Sequence, residues 1–265
     1  MFLLNIFLDY GVLTILSLVL LSFVAGFIDA VIGGGGLIQL PALLINFPKT
    51  HLPVLFGTNK IAALAGTSIA AYQYSRKIVF NYWLLLVVAA CAALASFAGA
   101  RLVMHINVRA LKPIILVILI LMAIYTYIKK DLGSVQTKNL TLQQQMIRGG
   151  LLALLVGFYD GFFGPGTGSF LVLGFVLFLG FEFLQASAYS KLINCVTNIS
   201  ALVVFVSKGQ YMLELALLMG ACNIAGNVMG THFALKKGNG FIRIFFLIIV
   251  LLMIARYGYD VFYGR

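Results

Sequence analysis

Long uncharged apolar runs separated by short polar gaps make up most of the chain. After a short amphipathic lead over residues 1–9, a first run from about Tyr10 to Ile32 ends in Gly33-Gly34-Gly35-Gly36. Leu37 to Phe47 then offers about half of the roughly 20 residues that a spanning helix needs. Glycines, Pro41 and Pro48 bound it, so it is predicted to be a short, broken or re-entrant helix. Further helices are predicted at about Leu55 to Tyr74, Tyr82 to Met104 and Val108 to Ile128. Beyond a polar stretch, Lys129 to Gln145, the order recurs: a helix to Phe163, a Gly/Pro break, a short helix over Phe170 to Phe181, then Ala186 to Val206, Tyr211 to Leu235 and Phe241 to Tyr259. The expected fold is an all-α polytopic membrane protein of two tandem repeats, each with about four full transmembrane helices plus a short broken or re-entrant one.

The recurrence has a fixed register. Asp160 stands 131 positions after Asp29, and the same offset pairs Lys60 with Lys191, Lys77 with Lys208, Cys91 with Cys222, Gly99 with Gly230 and Met122 with Met253. A constant offset across half the chain points to internal duplication. Residues 1–131 are therefore read as the first repeat, 132–146 as a polar cytoplasmic linker and 147–265 as the second repeat. The basic residues place the linker in the cytoplasm, but they divide between the two faces in the same ratio whether each half crosses four or five times. They do not choose between parallel and inverted repeats.

Composition narrows the class. Of 265 residues 62% are hydrophobic and 9% charged, and the mean hydropathy is +1.07, which suits lipid and leaves no polar faces for a soluble α/β fold. The net charge of +11 sits mostly in the gaps between apolar runs, as topology signals do, not in a nucleic-acid-binding patch. Cys91, Cys195 and Cys222 lie in apolar segments without C-x-x-C spacing, and His51, His105 and His232 share no ligand spacing, so no disulfide framework, metal or cofactor is expected. The first apolar run has no basic segment before it and continues into the glycine motif, which favours a retained helix over a cleaved signal. The membrane-facing surfaces permit a homodimer.

Chemistry concentrates at the two breaks. A short helix starting at a glycine break turns free N–H groups and a positive dipole end toward the break, which favours an anion. Leu37 and Ser169 lie at such starts. The candidate lining groups are Gly33, Gly34, Gly35 and Gly36 with Gly164, Gly166 and Gly168, although glycines in membrane helices also serve as packing surfaces. Lys60 and Lys191 either supply positive charge or snorkel to the interface. Thr58, Asn59, Thr167, Ser169, Ser190, Asn194 and Asn198 add neutral hydrogen-bonding groups. Asp29 and Asp160 would pair with the lysines, cap the short helices or carry a coupling proton.

The stretch Ala25-Gly26-Phe27-Ile28-Asp29 with Gly33 to Gly36 and Pro41, then Gly57-Thr58-Asn59-Lys60, and Gly157-Phe158-Tyr159-Asp160-Gly161 with Gly164-Pro165-Gly166-Thr167-Gly168, resembles the TauE/SafE sulfite-exporter family, the TSUP transporters. The second copy departs from the first, with Pro165 and Thr167 inside the run and Tyr189-Ser190-Lys191 in place of Thr58-Asn59-Lys60. The resemblance implies a multipass transporter that moves small sulfur-containing anions, sulfite or organosulfonates, across the cytoplasmic membrane. Two other readings stay open. Paired membrane aspartates, one in Tyr159-Asp160, are a feature of intramembrane aspartyl enzymes, although the Gly-x-Gly-Asp turn of that class is missing. An anion channel would use the same lining residues without a conformational cycle.

Overall fold

The structure is a computed structural model and describes residues 10–47, 49–105, 120, 124 and 138–262. The helix expected over Val108 to Ile128, apart from Ile120 and Ile124, which are helical, lies outside the described residues, as do the lead over residues 1–9 and residues 129–137. The helices among the described residues are α1 (Val12–Ile32), α2 (Gly36–Asn46), α3 (Leu52–Ser75), α4 (Tyr82–Val103), α5 (Leu142–Phe162), α6 (Thr167–Gly174, carried on as a π-helical turn over Phe175–Leu179), α7 (Phe183–Ser207) and α8 (Leu213–Phe262), the last interrupted at Gly238. No strand occurs among the described residues. Five helical stretches there, α1, α3, α4, α7 and Leu213–Gly238 of α8, are long and apolar enough to cross a bilayer.

Local sequence sets the ends. The Asn81 side chain accepts from the N–H groups of Trp83 and Leu84 and starts α4. Thr141 and Gln144 form a capping box that starts α5, so Gln143 to Gln145, expected in the linker, are helical. Gly33, with φ of 82°, closes α1 in the left-handed region.

Hydrogen bonds fix the directions of the helices. α2 turns back along α1, since Gln39 Nε2 donates to Ser22 Oγ at 3.3 Å and Asn46 Nδ2 to Ser17 Oγ at 3.3 Å. α3 then runs in the same direction as α1, with Thr67 Oγ1 donating to Asp29 Oδ2 at 2.9 Å and Tyr74 OH to Ala30 O at 3.1 Å. α7 runs opposite to α3: Lys60 meets Asn198, Ser68 meets Cys195, and the Asn81 N–H beyond the end of α3 reaches the Tyr189 hydroxyl. At one end of the bundle Ile15, Leu43, Leu55, Phe205 and Leu215 pack together. At the other end Tyr74, Leu84, Phe175, Phe181 and Tyr189 do so.

The outer helices approach backbone to backbone. A Cβ at Gly26 of α1 would collide with the Asn223 backbone of α8, and one at Gly157 of α5 with the Ala92 backbone of α4. Likewise Gly230 faces the Phe27 backbone and Gly99 the Phe158 backbone. Small residues permit such contact where no water is present to drive association.

Candidate functional site

The turn between α1 and α2 and the turn between α5 and α6 meet in the interior. Gly33 lies against the Gly168 backbone, the Ser169 N–H donates to Gly33 O at 3.2 Å, and Ser169 Oγ donates to Ile32 O at 3.2 Å. Thr167 Oγ1 donates to Gly164 O at 2.6 Å and ties off the second turn. Beside this junction lies a cavity of about 30 Å³, room for about two waters. Its lining includes Asp29, Gly33, Gly35, Gly36, Asn59, Lys60, Asp160, Gly164, Gly166, Thr167, Gly168, Asn194 and Asn198. No acceptor among the described residues takes the N–H of Gly34, Gly35 or Gly36, and two of these three glycines border the cavity. The start of α2 therefore presents its positive end there.

Two ion pairs flank the junction, each joining one half of the chain to the other. Lys60 Nζ lies 2.8 Å from Asp160 Oδ2 and donates also to Asn198 Oδ1 at 3.1 Å. Lys191 Nζ lies 3.3 Å from Asp29 Oδ2 and donates to the Asp29 carbonyl, and Thr67 completes that group. All four charged side chains are nearly inaccessible, at 5% and 3% for the first pair and 0% and 8% for the second. A charge buried in lipid persists only with such a partner. The 131-residue offset that relates the lysines and the aspartates also relates Thr67 to Asn198, so the two groups are equivalent in register and differ in one polar side chain.

The other candidates fall outside the cavity lining. Thr58 Oγ1 donates to Val54 O at 2.7 Å and accepts from the Met212 N–H at 2.9 Å, which pins the start of α8. Ser190 Oγ donates to Gly168 O at 3.0 Å and holds the second turn. Gly34, Ser169 and Lys191 are likewise not among the lining residues. Conversely, Gln39, Asn223, Phe56, Ala63 and Phe163 line the cavity without having been anticipated. Gln39 and Asn223 carried a signal, a carboxamide inside an apolar run; the other three are indistinguishable in sequence from packing residues. Asn59 stands out because its Oδ1 is buried with no partner among the described residues.

The sequence model described as Sulfite exporter TauE/SafE matches residues 18–257. The chain belongs to the TauE/SafE family. Among curated proteins it is 36% identical over 237 residues to the probable membrane transporter protein ORF9 of a Sinorhizobium species, covering 89% of this chain and 88% of that protein. It is 34% identical over 257 residues to a probable membrane transporter protein of Haemophilus influenzae, covering 95% and 97%, and 28% identical over 229 residues to the probable membrane transporter protein YdhB of Bacillus subtilis, covering 83% and 89%. No solved structure matches. A TauE/SafE protein is a multipass membrane transporter, which sets aside the enzyme reading. The carboxylates agree: each is held by a lysine, whereas a shared-proton dyad needs them against each other.

Proposed function

We propose that this TauE/SafE protein is a secondary transporter of small sulfur-containing anions, sulfite or an organosulfonate, across the cytoplasmic membrane, with the anion held where the two turns meet. The observation that carries this reading is the cavity beside that junction, bordered by the Lys60 ammonium, the unpartnered start of α2 and Asn59, whose Nδ2 lies beside Gly36. These groups favour a compact oxyanion.

The two halves are then inverted repeats. Their first helix pairs, α1–α2 and α5–α6, are re-entrant hairpins that enter from opposite faces. In support, α3 and α7 share register but run in opposite directions, and α2 comes back along α1. Arg76, Lys77, Lys138 and Lys236 fall on one face, the cytoplasmic one. A cavity with room for only about two waters, smaller than an oxyanion needs, describes a closed state. Rocking one repeat against the other opens it to either side in turn, which distinguishes a carrier from a channel.

The ion pairs suggest how the site is gated. While Asp160 is ionised it neutralises Lys60; protonation of Asp160 releases the ammonium for the anion, so a proton travels with the substrate. The test is counterflow in proteoliposomes with sulfite, a small organosulfonate, a carboxylate and phosphate. Saturable counterflow of the sulfur anions supports the reading, and counterflow of only carboxylate or phosphate, or of none, contradicts it. If Asp160→Asn transported as before under an imposed pH gradient, the coupling step would fall.

A further inference from the structure

The interior is polar on one side of the cavity and apolar on the other. From the cavity wall a file of neutral polar side chains runs along one face of α8: Asn223, Asn227 and Thr231, four residues apart. Ser22 of α1 and Gln39 of α2 join it. Gln39 Nε2 donates to Ser22 Oγ, Asn223 Nδ2 to Gln39 Oε1 at 3.2 Å, and Asn227 Nδ2 to Asn223 Oδ1 at 2.8 Å. The positions at the 131-residue offset are Ala153, Phe170, Ala92, Ser96 and Ala100. Only Ser96 is polar there, and its hydroxyl is already spent on Thr197 O at 2.8 Å. Duplication alone does not account for the file.

The file also ends unsatisfied. Asn227 Oδ1 and Thr231 Oγ1 have no partner among the described residues, and both residues are fully buried. Acceptors left this way cost free energy unless another state of the protein supplies water or a ligand to them. The file points to a mouth of matching charge. α3 and α8 run side by side in the same direction, Thr58 beside Met212 and Gly66 beside Asn223 and Asn227. Arg76 and Lys77 beyond α3 and Lys236 and Lys237 on α8 therefore share the end toward which the file leads, and all four are exposed. In the closed form Gly66 lets the helices meet over the file, since a Cβ there would collide with the carboxamides of Asn223 and Asn227.

We propose that this seam between α1, α3 and α8 is the aqueous route by which a hydrophilic anion and its water pass between the cavity and the face bearing Arg76 and Lys237, and that the α4–α5–α7 counterpart stays dry. The passenger's identity rests on the transporter reading above; the wetting of the seam does not. Hydroxyls and carboxamides supply donors along the way without a fixed charge to trap the anion, and the basic mouth concentrates it.

The test is thiol accessibility in a background with Cys91, Cys195 and Cys222 replaced by serine. Asn227→Cys and Thr231→Cys are compared with the offset controls Ser96→Cys and Ala100→Cys, using a small hydrophilic methanethiosulfonate on oriented membrane vesicles. We expect the two seam positions to react at least tenfold faster than the controls, and from the Arg76 face only. Equal rates at seam and control positions, or faster reaction from the opposite face, would overturn the proposal. Thr231→Cys is nearly isosteric and decides the matter alone if Asn227→Cys does not assemble. One-sided labelling together with failed counterflow would uphold the seam and sink the substrate assignment, so the two failures are distinguishable.

Discussion

Removing one member of the Lys60–Asp160 pair should cost far more stability than removing both. At 2.8 Å, with both side chains almost inaccessible, the pair attracts by about 6 kcal/mol at an effective dielectric of about 20. Desolvation of two ions offsets most of that, so the pair is worth little net. Lys60→Met leaves a buried carboxylate with no counter-charge and an Asn198 oxygen with no donor, a loss of about 3–5 kcal/mol. Lys60→Met with Asp160→Asn removes both charges and keeps a polar group beside Asn198, and should lose less than about 2 kcal/mol. Reversible unfolding in mixed micelles, run as a double-mutant cycle with a similar loss expected for Asp160→Asn alone, should then report a coupling of at least about 4 kcal/mol. The reasoning would be refuted by additive single losses, with coupling below about 0.5 kcal/mol.

Other substitutions separate structure from binding. Gly33→Ala meets both a left-handed backbone and the Gly168 backbone, so it should cost at least about 2 kcal/mol in the same unfolding assay and abolish transport. Asn59→Ala removes the Nδ2 donor that lies beside Gly36, together with an oxygen that has no partner among the described residues; stability should hold within about 0.5 kcal/mol while loss of the donor raises the half-saturating anion concentration in counterflow roughly fivefold. Thr141→Ala breaks the capping box that starts α5 and should cost about 1 kcal/mol in unfolding without changing substrate affinity.

The sequence carried the helices well because lipid leaves few alternatives to them. Runs such as Tyr82 to Val103 contain nothing that breaks a helix, and their ends fall at Asn81 and near Arg101, where polarity returns. It also carried the charged part of the site, since a lysine or aspartate inside an apolar run has to be paired or functional. What it could not carry was which lysine meets which aspartate. Lys60 bonds to Asp160 and not to Asp29, a contact across 100 residues that depends on how α3 packs on α7. Nor could it divide the hydroxyls: Thr58 and Ser190 read as lining groups, yet their bonds go to backbone, because a serine or threonine in a helix satisfies a nearby carbonyl as readily as a ligand. The fate of Gln143 to Gln145 turned on a single cap, a local signal outweighed in the reading by their polarity.

The central claim, an anion held at the meeting point of the two turns, is met most directly by titration calorimetry of sulfite into the purified protein and into the Lys60→Met/Asp160→Asn double variant, which keeps the net charge and, by the cycle above, the fold. Saturable single-site binding to the unmodified protein, weakened at least tenfold in the double variant, is the predicted result. Equal affinity in the two would place the anion somewhere other than this junction.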